Sequence, residues 1–379
     1  MCPSVRDDSR VLWRASEHEE LTERAWKERL AQEAIEMIVS DAEAAVNDGF
    51  WPGHPLDGVS EQERFASLYL GSAGMIWGLW KLGGSLDGAA TVGTAIERYR
   101  AEPDFGPDAH APSLLMGETG LLVVAARIGA RVADRERLRD LIHDNRAHPT
   151  WELMWGSPGT ILAARACDLP AAAEASARLL WEHWDVDSDL WTQEMYGQTR
   201  QYFGPAHGFA GNVHALRGHV ADDVLRERAS RVLEHTAVQE DGLINWPPSV
   251  GEPTSKIRVQ WCHGAPGIVS TLGDLVPEYL SLGGGELIWR AGPLGKGPGL
   301  CHGTAGNGFA FLKLYELTAD ERWLFRARRF AVHAIKQVEQ QRVKVGRGRY
   351  TLWTGDIGVA LYLQACLDAK AAFPTIDTF

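Results

Sequence analysis

Seven GxxG tetrads punctuate the chain: GSAG at Gly71, GETG at Gly117, GSPG at Gly156, GFAG at Gly208, GAPG at Gly264, GTAG at Gly303 and GDIG at Gly355. Self-similarity at a long period marks a repeat architecture. The intervals run from 39 to 56 residues, too irregular for a solenoid of identical units but long enough for one helical hairpin each. Every tetrad opens an apolar run, such as MIWGLW after Gly71, LLVVAARI after Gly117 or VALYLQACL after Gly355. Runs that are apolar on all sides belong to buried helices, whereas Trp26–Val46, Ala221–Val238 and Asp320–Val338 are amphipathic. Alternating helices of these two kinds pack most simply with the apolar ones as an inner ring and the amphipathic ones outside. The expected fold is therefore all-α, an α/α toroid of seven helix hairpins. Glycines at the inner helix starts would relieve crowding and permit unusual backbone angles near the centre.

Residues 1–66 precede the first tetrad and read as a helical segment packing on the barrel, with a break at WPGHPLDG. Residues 67–379 read as the toroid itself, a single domain in which the Gly/Pro-rich stretch AGPLGKGPGL is a loop. The chain has 379 residues, 45% hydrophobic and 23% charged, which excludes a disordered or collagen-like polymer. A formal charge of -12 argues against nucleic acid as partner. No apolar stretch approaches the roughly 20 residues of a membrane span, and the start lacks a secretory pattern, so a cytoplasmic chain is expected. The five cysteines, Cys2, Cys167, Cys262, Cys301 and Cys366, are odd in number and widely spaced, which suits reduced thiols rather than a disulfide framework. Cys2, Cys167 and Cys366 read as terminal or core residues. Arg322, Arg326 and Arg329 share a helix face, expected to be solvated.

Aligning the repeats on their first glycine makes one arc distinct. The residue before that glycine is Leu70, Met116, Trp155, His207, His263, His302 or Thr354; one place earlier stand Tyr69, Leu115, Met154, Ala206, Cys262, Cys301 and Trp353. In a ring these positions are spatial equivalents. Two thiolates and one imidazole from adjacent loops suit Zn²⁺ with a fourth place open, the pattern of a catalytic zinc site. Symmetry leaves open which of His207, His263 and His302 is the ligand and which remains for acid–base work.

WCHGAPGIV at Trp261–Val269 and GLCHGTAGNGFAF at Gly299–Phe311 resemble the signature motifs of the lanthionine synthetase C-like (LanC-like) family, and AHGFAGNVHAL from Ala206 and ELMWGSPG from Glu152 resemble its preceding motifs. The resemblance spans all seven repeats and implies a double-layered α-toroid. It implies a single Zn²⁺ held by Cys262, Cys301 and His302, with the fourth position for an incoming thiol whose pKa the metal lowers. The thiol would undergo Michael addition to dehydroalanine or dehydrobutyrine, forming a thioether of the lanthionine type. His207 matches the family's acid–base histidine. Arg258 matches the arginine of the cyclase motif, for the enolate or a substrate carboxylate, and Glu152 would orient His207 or Arg258. Lys296 would meet an anionic group of the substrate. His263, with Glu152 and Lys296, resembles the eukaryotic-type branch associated with glutathione. The implied partners are a dehydrated precursor peptide or protein, glutathione, and a separate dehydratase or kinase. The rival readings are an α/α-toroid glycoside hydrolase using Glu118, Glu152 or Asp356, and a non-catalytic zinc-containing protein that binds peptide or glutathione.

Overall fold

The computed structural model describes residues 12–106, 112–253 and 257–379; Cys2 lies outside them. Fourteen α-helices are present among the described residues. Seven of them begin on the first glycine of a tetrad as N-cap: α2 (Ser72–Lys81), α4 (Glu118–Arg127), α6 (Ser157–Ala166), α8 (Phe209–Leu216), α10 (Ala265–Leu272), α12 (Thr304–Thr318) and α14 (Asp356–Asp368). Each packs on the next, and α14 packs back on α2, so the inner ring closes. The other seven form the outer layer: α1 (Glu28–Ala45), α3 (Gly88–Ala101), α5 (Arg135–Asn145), α7 (Pro170–Glu182), α9 (Asp222–Thr236), α11 (Glu278–Ala291) and α13 (Glu321–Val345). The protein is an all-α, double-layered α/α toroid. α8 and α10 are buried along their whole length, which is why their sequences carry no polar stripe. α1 packs on α13 and α14.

The first glycine of each tetrad is an N-cap with no side chain of its own to cap the helix. In four of the seven the first free amide, which needs an acceptor, bonds to the carbonyl seven residues earlier: Ser72 N donates to Phe65 O at 2.9 Å, Phe209 N to Tyr202 O at 2.9 Å, Thr304 N to Gly297 O at 2.9 Å and Asp356 N to Arg349 O at 2.8 Å, while at α10 Ala265 N donates to Asn245 Oδ1 at 2.8 Å. Each of these four loops thus curls tightly over its own helix start. The second glycine makes this possible, because in all seven tetrads a Cβ there would collide with the carbonyl six residues earlier. Steric crowding is therefore the common reason for the glycines. Unusual backbone angles are not: of the seven first glycines only Gly264, at φ +106°, lies in the left-handed region. Gly306→Ala is expected to destabilise the protein by about 1–3 kcal/mol through overpacking against Leu300 O. Gly93→Ala, in mid-α3 with only Val132 at 3.7 Å, is expected to stabilise it by up to about 1 kcal/mol through helix propensity. Thermal unfolding of the pair checks the distinction.

Two short antiparallel hairpins interrupt the helical pattern, β1 (Gln193–Met195) with β2 (Gln198–Arg200) and β3 (Val238–Glu240) with β4 (Leu243–Asn245). The arginines of α13 are not a solvated face. Arg326 is buried, pairs with Glu286 at 2.9 Å and lies over the rings of Trp289 and Trp323, while Arg329 donates to Thr22 O at 2.6 Å. Only Arg322 is half exposed, and it too pairs with Glu286. Cation–π contact and hydrogen bonds offset the desolvation that the charge pattern alone leads one to avoid. Cys167 and Cys366 are buried thiols, raised by burial to about 11 and about 12.

Candidate metal and thiol site

The residues two places before successive tetrads are joined by backbone hydrogen bonds. Cys262 N donates to Cys301 O (3.1 Å), Cys301 N to Trp353 O (2.9 Å), Trp353 N to Tyr69 O (3.4 Å) and Tyr69 N to Leu115 O (2.9 Å). The positions aligned by sequence are thus neighbours around the mouth of the ring. This places Cys262 and Cys301 side by side, and the ligand atoms of Cys262, Cys301 and His302 all lie within 4.8 Å of one another. Both cysteines are buried, and His302 is half-buried.

The electrostatics follow from that contact. The hydrogen bond between the two thiols drives them apart: Cys262 is held well above the usual thiol range, with burial adding to it, and Cys301 well below. Hydrogen bonds from His302 and Tyr69 further favour the Cys301 thiolate against the cost of burying it. Gln260 Nε2 donates to Cys262 Sγ at 2.9 Å and its Oε1 accepts from Lys296 Nζ at 3.4 Å, which links the exposed lysine to the thiol pair. Gln260 and Tyr69 carry no motif of their own; the signal for Tyr69 was its repeat position, the same as that of both cysteines.

His207 and Glu152 form the second half of the site. Glu152 is fully buried, and its carboxylate accepts from Trp155 N at 2.7 Å and Met154 N at 3.0 Å, in the loop that enters α6. The same carboxylate lies 3.0 Å from His207 Nδ1, which places the proton on Nδ1 and leaves Nε2 for other work. Glu152 therefore meets His207 and not Arg258. The His207 and His263 rings stack at 5.4 Å, and Tyr202 lies 5.9 Å from His263. Burial first, then the charges of His207, Arg258 and Lys296, lower His263 to about 3, so it is a neutral ring at neutral pH. Arg258 Nη1 pairs with Glu17 Oε1 at 3.4 Å, on the N-terminal segment that crosses this face of the molecule. That segment is tied down by Gly295 N to Glu17 O at 2.8 Å and Glu19 N to Pro293 O at 2.8 Å.

The remaining carboxylates of the glycosidase reading are engaged elsewhere. Glu118, in the first turn of α4, pairs with Arg100 at 2.7 Å and Arg137 at 2.8 Å, and Asp356, in the first turn of α14, pairs with Arg342 at 2.9 Å. Helix N-termini favour acidic residues for reasons of charge alone.

A closed ring of helix pairs with a Cys–Cys–His cluster at its mouth defines the class. The sequence profile of the lanthionine synthetase C-like proteins matches residues 62–378, and the chain belongs to that family. It is 33% identical over 198 residues to a zebrafish (Danio rerio) protein named glutathione S-transferase LANCL1, covering 49% of this chain and 47% of that one. It is 30% identical over 188 residues to LanC-like protein GCL1 of Arabidopsis thaliana, covering 46% and 43%. The alignments thus span about half the length of these curated relatives. The structure of nisin cyclase superposes with a TM-score of 0.58 at 15% identity, over 89% of this chain and 94% of that one, which shows a shared fold. No helix of the described residues is long and apolar enough to cross a membrane.

Proposed function

We propose that the protein forms thioethers by adding a thiol, of a peptide cysteine or of glutathione, to dehydroalanine or dehydrobutyrine in a peptide or protein. The observation that carries the reading is the convergence of Cys262, Cys301 and His302 beside the His207–Glu152 pair. Two sulfurs and one imidazole in near contact, with one thiol already inclined to the thiolate, are the donor set of a tetrahedral zinc site with an open place. When bound there, zinc holds an incoming thiol as the nucleophilic thiolate at neutral pH.

The rest is the work of side chains. As sulfur bonds to the β-carbon, the π electrons of the alkene move to the adjacent carbonyl as an enolate. His207 takes up at Nε2 the proton that the thiol releases and delivers it to the α-carbon, which balances the addition. The buried Glu152 carboxylate fixes the imidazole's tautomer and stabilises its protonated form. Lys296 and Arg258 supply positive charge near His263 for an anionic group of the substrate. A substrate carboxylate reaching Arg258 displaces Glu17. The name of the zebrafish relative, glutathione S-transferase LANCL1, supports glutathione as a thiol source.

Purified protein supplied with zinc, glutathione and a dehydroalanine peptide is expected to give the thioether adduct by mass spectrometry. The same peptide carrying its own cysteine is expected to close a ring without added thiol. A zinc-free, stable protein that yields neither product returns the fold to the binding or glycosidase readings.

A further inference from the structure

An aromatic row runs along the mouth of the toroid and ends at the candidate acid–base pair. Phe65 and Phe105 lie 6.0 Å apart, Phe105 and Trp155 5.9 Å apart, and Trp155 Nε1 donates to the Tyr196 hydroxyl at 3.0 Å. Tyr202, near enough to Tyr196 to act on it electrostatically, lies 6.2 Å from the His207 ring. Tyr196 is 72% exposed and Phe105 40% exposed, while the other rings are half-buried. Trp155 occupies the repeat position that His207 fills in the next tetrad, and its backbone amide holds Glu152, so row and site share a loop.

Tyr196 is held against local preference. It and Gly197 are the two loop residues between Met195 and Gln198, at φ +52° and +71°. Two positive φ angles define the hairpin turn that favours Asn-Gly, and a bulky side chain at the first position is strained. A large ring kept in a strained turn, and exposed there, points to a role in binding.

Resting on the thiol-addition reading, we infer that this row is the track on which an extended polypeptide acceptor lies, with apolar side chains flanking its dehydroamino acid. In an extended chain the side chains of one face recur every ~6.6 Å. Phe65, Phe105 and Trp155 follow one another at 6.0 and 5.9 Å, close to that repeat, so alternate side chains of the acceptor meet successive rings. The track ends at His207, which puts the reacting residue within reach of its proton. A sugar chain would use the same rings but needs a free carboxylic acid beside them. Both oxygens of Glu152 are taken by Met154 N, Trp155 N and His207.

The variant that separates binding from folding is Tyr196→Asn, which suits the turn better than tyrosine. With a fluorescent ten-residue dehydroalanine peptide flanked by phenylalanine and leucine, and no thiol donor, the wild type is expected to bind and Tyr196→Asn to bind about tenfold more weakly, at equal or higher Tm. With glutathione added, the preference of kcat/KM for this peptide over N-acetyl-dehydroalanine methylamide is expected to fall about tenfold in Tyr196→Asn, through KM. Unchanged affinity and unchanged preference in the variant would overturn the track. Weakened peptide binding without any thiol addition by the wild type would keep the track and remove the reaction, so the two failures are distinguishable.

Discussion

Cys301→Ala is expected to lose its zinc and to reduce thiol addition to the uncatalysed background. Cys301 is the thiol whose pKa the site lowers, with Cys262, His302 and Tyr69 all directed at it. Removing it leaves two of the three ligand atoms, and metal affinity depends on the full set of deprotonated donors. The fold should survive. What Cys301 contributes to the ring of loops is backbone, through its N to Trp353 O and its O from Cys262 N, and alanine keeps both. The expected signature is a metal content near zero, with thermal unfolding that no longer responds to zinc or to a chelator, whereas the wild type is stabilised by zinc. Cys366→Ala is the control: its thiol is buried against Tyr362, raised to about 12, and far from ionising, so metal content and activity are expected to persist. A full zinc complement with ordinary activity in Cys301→Ala would defeat the assignment.

What was legible in the sequence is what the repeat writes into each tetrad, and what lies outside the repeat was not. The seven tetrads show the inner helix starts because a glycine is needed wherever a loop carbonyl presses on the helix it enters, a contact within six residues. Ring equivalence then brought Cys262 and Cys301 together across 39 residues of chain without a finger-like spacing, while the choice of His302 among three equivalent histidines came from the family resemblance. Chain-distant partners outside the repeat motifs were invisible. Glu17 meets Arg258 across 241 positions and Thr22 meets Arg329 across 307, so the fate of either arginine could not be read from its own surroundings. The face formed by Arg322 and Arg326 looked like a solvated one because charge pattern does not show that Trp289 and Trp323 lie beneath Arg326. The β1–β2 hairpin escaped notice for another reason. Its strands are three residues each, too short for an alternating pattern, and its turn carries Tyr-Gly where Asn-Gly would have announced it.

Glu152→Gln should separate proton transfer from metal binding. The carboxylate accepts three hydrogens: Trp155 N on Oε1, and Met154 N together with His207 Nδ1 on Oε2. An amide has one acceptor oxygen, so either orientation sets an NH₂ group against a backbone N–H. If the oxygen stays on Trp155 N, the new NH₂ donates to His207 Nδ1 and forces the proton to Nε2, the atom that must accept it during addition. If the amide turns over, Trp155 N is left facing a donor and the loop that positions the histidine is loosened. Either way the histidine loses the negative charge that stabilises its protonated form. General acid–base assistance is worth about 10²–10⁴-fold, and kcat is expected to fall by that amount while zinc content stays at the wild-type level. His207→Ala should fall equally, and the double variant no further, because the two residues act as one device. A Glu152→Gln enzyme within about threefold of wild type would show that the pair is structural and that the α-carbon takes its proton from elsewhere.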